Sequence, residues 1–482
     1  MLFNSLAFAV FLPVVFLSYW FVFNRYLRVQ NLFILLASYF FYGWWDWRFL
    51  ILVLFTSLVS YGCGLLIEKH RDATQKTRIF STLNIVVNLM VLGAFKYYDF
   101  FATSFANAFM GGKTDGLLLN AVLPVGISFY TFKALSYGID IYRGKLEPTR
   151  DIIQYFTYIA FFPQLLAGPI ERATNLLPQL ARPRTFDYAT GVDGMRQIVW
   201  GLFKKMVVAD GCAVYVDTVF QSYQTQGGST LLLAALLYTF QIYGDFSGYS
   251  DVAIGTGKLF GFQTMRNFSV PYFSRNIAEF WRRWHISLTT WFRDYVYIPM
   301  GGSRCSKEKI VRNTFIIFLL SGLWHGANWT FLAWGTYHAL LFLPLILLGK
   351  NRKYRDTVAQ DSAFPTLKES GQMVLTFFLV VVGWVLFRAD SIGQALDYFS
   401  HLVSKDLVSI PWLMTRGYYL PLFLCLVLMV VLEWVQRTAE HGLQGGKLSK
   451  TMLRALSLVV SILVLVSFLT QEGDSSFIYF QF

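Results

Sequence analysis

The sequence predicts an all-α polytopic membrane protein, with about 10–12 transmembrane helices and further re-entrant or interfacial helices around a central cavity. Three observations carry this expectation. Of 482 residues, 55% are hydrophobic and only 14% are charged, against roughly a quarter charged in soluble domains. Apolar runs close to the ~20 residues that cross a hydrocarbon core recur from end to end. The lysines and arginines behind the formal charge of +13 sit in short loops between those runs, as they do in cytoplasmic loops of membrane proteins. The basic balance therefore reads as topology, and no nucleic-acid partner is expected.

Taken in order, candidate spans open the chain at residues 6–23, 31–45 and 49–67. Arg25 and Arg28 follow the first, and Lys69, Arg71, Lys76 and Arg78 follow the third. Both loops are expected inside, which leaves the N-terminus outside. The first run lacks a basic leader and a small-residue cleavage site, so it reads as a retained helix. Spans at 79–95 and 117–135 return the chain to the basic loop from Arg143 to Arg150. The run at 152–167 then ends in Gly168-Pro169, and Pro163, Pro178 and Pro183 argue against one straight helix. Broken helices at membrane depth are tolerated where protein or a water-filled cavity covers them. A cavity-lining core is therefore expected between about Ile152 and His338. Regular spans at 373–387, 418–435 and 455–469 close the chain, with an inside loop carrying Arg437, Lys447, Lys450 and Arg454. The tail with Glu472 and Asp474 is then outside. The reading is one integral membrane domain: spans in 1–150, a catalytic core in 151–348 and further spans in 349–482.

Three of the six histidines, His285, His325 and His338, fall in the stretch from Phe280 to His338. Ionisable groups inside apolar sequence are expensive and mark function by default. Read as one helix, 281–295 puts Trp281, Trp284, Leu288, Trp291 and Tyr295 on one face, flanked by Arg282, Thr289 and Arg293. His285 falls on the border. Such a helix suits the membrane interface, its rings toward lipid or core and its arginines toward head groups or a phosphate.

His325 lies in a 37-residue stretch, Asn313 to Gly349, between two basic loops. That stretch must go out and come back, so it reads as a helical hairpin. His325 is thirteen residues beyond Arg312, about 20 Å along a helix into a core about 30 Å thick. It is expected past the midplane, with Gly322 and Gly326 giving room for close approach. Asn328 is placed to orient its ring and leave one nitrogen as a general base. The residues alone admit both this and a structural histidine bonded across helices.

A third cluster, Tyr243-Gly244-Asp245-Phe246-Ser247-Gly248-Tyr249-Ser250-Asp251, follows the apolar run 231–242. It suits substrate binding and a helix N-cap equally. No hydrolase elbow, HExxH, Walker or dinucleotide fingerprint occurs. The four cysteines form no CxxC pair, and no metal site is expected.

These pieces together resemble the membrane-bound O-acyltransferase superfamily, and its bacterial branch containing the alginate O-acetylation membrane protein above all. The matching segments are 123–130, Ala167-Gly168-Pro169-Ile170, 245–251, 279–288, 291–295, Gly322-Leu323-Trp324-His325-Gly326-Ala327-Asn328 and Gly383-Trp384-Val385-Leu386-Phe387-Arg388-Ala389. They run in family order over nearly the whole chain. The resemblance implies a multi-pass protein of the bacterial inner membrane, so the two termini that the basic loops place outside are expected to be periplasmic. It implies acyl transfer with His325 as the catalytic residue and His285 as its companion. Arg282, Arg283, Trp324, Asn328, Asp245, Ser247 and Tyr249 are the expected contacts to donor or substrate. The donor it implies is acetyl-CoA, used as a substrate with no permanently bound cofactor. The implied partner is a periplasmic esterase-like (SGNH-type) acetyltransferase that leads to a polysaccharide acceptor, alginate or another exopolysaccharide, or alternatively peptidoglycan. A precursor flippase is the reading from another class; it needs no histidine pair.

Overall fold

A computed structural model describes residues 1–114, 116–403, 405–411, 414, 419–470 and 477–478. Among them the ordered elements are helices, and five are long and apolar enough to cross a membrane: Phe49–Lys69, Thr74–Phe109, Trp329–Leu347, Leu367–Arg388 and Lys450–Thr470. Leu6–Val22 and Leu420–Val435 are shorter apolar helices. The acidic tail around Glu472 and Asp474 lies outside the described residues.

The described chain forms two units: Met1–Gly194 with Ala253–Met265, and Met195–Val252 with Arg266–Phe482. The first contains α1 (Leu6–Val22), α2 (Leu27–Gly43), α3 (Phe49–Lys69), α4 (Thr74–Phe109), α5 (Ile127–Tyr142), α6 (Ile152–Ala160) and α7 (Ala173–Leu180). Two expected spans are corrected here. The fourth does not stop at residue 95 but continues through a π-turn, Gly93–Tyr97, to Phe109. The fifth does not begin at residue 117, because residues 117–125 are not helical; α5 starts only after Gly126 at φ 77°. Lys96 and Asp99, just past residue 95, lie inside this continuous helix. The proline-rich stretch breaks as expected. Phe161 at ψ 108° ends α6 just before Pro163, and a single turn, Phe162–Leu165, follows.

Polar side chains hold this first unit together internally. Ser60 Oγ donates to Asn84 Oδ1 at 2.7 Å, and Asn88 Nδ2 donates to the same oxygen at 3.0 Å. Such hydrogen bonds tie apolar helices where lipid offers no hydrophobic drive. Arg184 donates to Tyr19 Oη, Gln30 Oε1 and Asn31 Oδ1, joining α1 and α2 to the segment after α7.

α8 (Tyr188–Leu202) and α10 (Gly228–Leu259) contribute residues to both units. In the second unit a π-turn, Phe203–Ala209, runs into α9 (Asp210–Gln221). After α10 come two short helices, α11 (Ile277–Arg283) and α12 (Ile286–Phe292). The expected hairpin follows as α13 (Lys307–His325) and α14 (Trp329–Leu347). Then come α15 (Leu367–Arg388), α16 (Ile392–Leu402), α17 (Leu420–Val435) and α18 (Lys450–Thr470).

Glycine sets the closeness of the hairpin arms. A Cβ at Gly322 would lie 2.2 Å from the Phe331 carbonyl oxygen, and one at Gly335 would lie 2.4 Å from that of Phe318. Backbones meet at this spacing only through small residues. The hairpin is thus a rigid unit whose tip carries His325.

Candidate active site

His285 is built into a backbone break. Asn276 caps α11 by accepting from Glu279 N, and the helix ends at Arg283. Trp284 is extended, and His285 is left-handed at φ 43° and ψ 54° before α12 begins. The single helix expected over 281–295 is therefore two short helices. The break is fixed from outside. Ser269 N donates to the Arg283 carbonyl at 3.0 Å and Ile286 N to the Asn267 carbonyl at 2.9 Å. Ser287 Oγ donates to Asn267 Oδ1 at 2.6 Å, and Asn267 Nδ2 donates to Ser250 Oγ at 3.1 Å. A non-glycine residue held left-handed costs about 1–3 kcal/mol, and such residues gather at active sites. Of the two surroundings expected for the aromatic face, lipid or core, the rings take the core: Trp281, Trp284, Leu288 and Trp291 are all buried in the protein.

His325 is the last residue of α13 and is 4% exposed. Its ring is walled by Trp324, Trp334 and Phe387, with centroids 5.0, 5.2 and 5.2 Å away. Trp324 also packs on His285 at 5.4 Å, and the two imidazole centroids stand 6.5 Å apart. His285 is fully buried, and neither ring nitrogen has a hydrogen-bond partner among the described residues. Buried polar atoms are nearly always satisfied, so such exceptions ask for a ligand or a water.

The structure thus brings His285, Trp324 and His325 together. Asn328 instead caps α14: its Oδ1 accepts from Thr330 N at 3.1 Å and its Nδ2 donates to the Asp390 carbonyl at 3.1 Å. Arg283 is engaged by protein. Glu279 takes its Nε and Nη2 at 3.1 and 2.9 Å, and Asp356 O accepts at 2.8 Å. Arg282 is exposed and donates to the carbonyls of Asn351 and Tyr354. Asp356, although burial opposes it, is held below the usual carboxylate range by the Arg275 guanidinium.

The aspartate–serine–tyrosine cluster lies inside α10, so the N-cap reading is corrected. The helix runs through it without a break, and Asp245, Ser247 and Tyr249 are buried. Two lysines on the π-turn explain the acids. Lys205 pairs with Asp245 at 2.6 Å and Asp210 at 2.9 Å, while Lys204 pairs with Asp251 at 2.6 Å. Asp245 also accepts from Ile478 N at 2.8 Å. The cluster's Gly248 meets Gly201 backbone to backbone; a Cβ on either would lie under 3 Å from the other's carbonyl oxygen. Phe246, next to Asp245 in the cluster, packs on His285 at 4.6 Å. Ser247 Oγ is buried without a hydrogen-bond partner among the described residues.

Sequence reasoning missed Asn267 and Ser287, which hold the break, and Phe387, which walls His325. Asn267 carries no local signal. Phe387 was visible only as part of a matching segment. Lys204-Lys205 between apolar residues was a legible sign of buried pairing.

Residues 148–357 match the model of the MBOAT, membrane-bound O-acyltransferase family. A probable alginate O-acetylase of Pseudomonas aeruginosa is 41% identical over 84% of this chain and 75% of its own. The chain belongs to the membrane-bound O-acyltransferase family. A peptidoglycan O-acetyltransferase of Helicobacter pylori is 31% identical over 100% of this chain and 98% of its own. A teichoic acid D-alanyltransferase of Bacillus subtilis is 29% identical over 56% and 69%. The protein is accordingly a multi-pass membrane O-acyltransferase of the cell envelope, and all three histidines of the core stretch fall within the segment that matches the family.

Proposed function

We propose that this protein takes acetyl groups from acetyl-CoA on the cytosolic face of the bacterial inner membrane and delivers them to an extracytoplasmic polysaccharide. The observation that carries this reading is the enclosed pair His285 and His325, 6.5 Å apart with Trp324 against both. His325 removes the proton of the attacking hydroxyl, and His285 hydrogen-bonds the donor and orients it. His325 then returns the proton to the departing thiolate, so the reaction needs no metal or permanent cofactor. The relatives supply the acceptor class, since their names specify alginate and peptidoglycan. An exopolysaccharide such as alginate is the first reading, on the higher identity. Peptidoglycan is the second, because that relative matches end to end. A periplasmic esterase-like partner carries the acetyl group onward. Both termini lie on the periplasmic side, from the basic loops between spans.

Sealed inverted vesicles test the direction. With labelled acetyl-CoA outside, label is expected in carbohydrate or partner protein within the lumen. Uptake of a glycan precursor without acyl turnover would sink the proposal in favour of a flippase.

A further inference from the structure

The third core histidine is not used by this mechanism, yet its surroundings are unusual. His338, on α14, is fully buried, and neither ring nitrogen has a hydrogen-bond partner among the described residues. The indole N–H groups of Trp281 and Trp334 are buried and equally unpartnered. The three rings form a triangle: Trp281–His338 and Trp334–His338 at 5.0 Å, Trp281–Trp334 at 5.5 Å. An indole donates and never accepts, so the cluster holds more donors than it can satisfy within itself. Donors left over in a buried site fit a ligand that brings acceptors.

Gly383 indicates which imidazole nitrogen is available. A Cβ there would lie 2.7 Å from His338 Nε2, so that nitrogen is packed against the α15 backbone. Nδ1 is the other ring nitrogen, also buried without a hydrogen-bond partner among the described residues. Trp334 is the link to chemistry, because its ring packs against both His325, at 5.2 Å, and His338, at 5.0 Å.

We propose that Trp334 Nε1–H and His338 Nδ1–H, with Trp281 beside them, form the donor set that holds the thioester carbonyl oxygen and the oxyanion it becomes. This rests on the acyl-transfer reading above. As the acceptor hydroxyl oxygen bonds to the carbonyl carbon, His325 takes its proton and the carbonyl π pair moves onto oxygen. The two N–H groups stabilise that negative charge without proton transfer. When the pair returns, the C–S bond breaks and the thiolate recovers the proton from His325. Donors already aimed at developing charge in a water-excluded site are the largest single source of rate in acyl transfer.

The test uses the full chain in membranes with acetyl-CoA as donor, reading CoA thiol release and acetyl transfer per folded molecule. Trp334→Phe keeps an aromatic ring and removes the N–H. Its kcat is expected to fall about 10²-fold with KM for acetyl-CoA little changed, the size of losing one oxyanion donor. His338→Phe is expected to behave alike, and His338→Gln, which restores a donor, to recover part of the loss. Wild-type kcat in Trp334→Phe, or a raised KM with kcat intact, overturns the proposal. So does equal loss in His338→Phe and His338→Gln with folding intact, which marks a packing role. His325→Ala is run in parallel. Turnover in that variant fails the underlying reading, whereas an inactive His325→Ala beside a fully active Trp334→Phe fails this inference alone.

Discussion

Gly322→Ala is the smallest change that separates hairpin geometry from chemistry. The added Cβ would sit 2.2 Å from the Phe331 carbonyl oxygen and 2.9 Å from its carbon. Both atoms are backbone, so no rotamer change relieves the contact, and the arms must part by roughly 1 Å to restore ordinary packing. Overpacking of this kind costs about 1–3 kcal/mol. The arm that moves carries His325 one helical turn further on. A misplacement of about 1 Å at a reacting group can cost ~10²-fold in rate. The expected result is a lower Tm together with acetyl transfer reduced about a hundredfold per folded molecule. Gly371→Ala is the control, because nothing lies within 4 Å of a Cβ there; its stability and turnover should match wild type. Thermal unfolding of the detergent-solubilised chain and labelled acetyl transfer in membranes provide the two readouts. Unchanged Tm and turnover in Gly322→Ala would refute the close-packed hairpin as the device that positions His325.

Three further outcomes follow from the same geometry. Glu279→Gln removes the carboxylate that both Arg275 and Arg283 grip at 3.1 and 2.9 Å, and should destabilise by about 3 kcal/mol; a thermal-shift comparison showing no loss would contradict a structural role. Asp245→Asn should cost about 2 kcal/mol by weakening the buried Lys205 pair while leaving kcat per folded molecule unchanged; a tenfold kcat loss in well-folded protein would instead put Asp245 in the reaction. Asn267→Ala frees the segment that holds His285 left-handed and should lower acetyl transfer about tenfold at modest stability cost; full activity would mean the break holds without it.

Much of this was legible in sequence, and what was not has physical reasons. Alternating apolar runs and basic loops specify where helices lie, because lipid demands internally bonded backbone. The hairpin followed from two basic loops and a length too short for anything else. Prolines announced the break at Phe161. The break at Trp284–His285 was hidden, since the sequence between Phe280 and Tyr295 has neither glycine nor proline and its spacing fits one helix. Asn267, on a different segment, imposes that break through hydrogen bonds made after the chain has folded. The acids of α10 looked ligand-like because their lysine partners come some 40 residues earlier in the chain. For the site, His285 and His325 were visible as costly residues in apolar sequence. His338 stood out in the same way, but Trp334 did not, because a tryptophan in an apolar helix reads as ordinary core until its N–H is found without an acceptor.

The most direct test of the central claim compares wild type with His325→Ala, both inserted in membranes at equal level, supplied with labelled acetyl-CoA from the cytosolic face. Acetyl transfer and CoA release are expected to fall to background in the variant while its Tm stays close to wild type. Sustained transfer by folded His325→Ala would contradict the account.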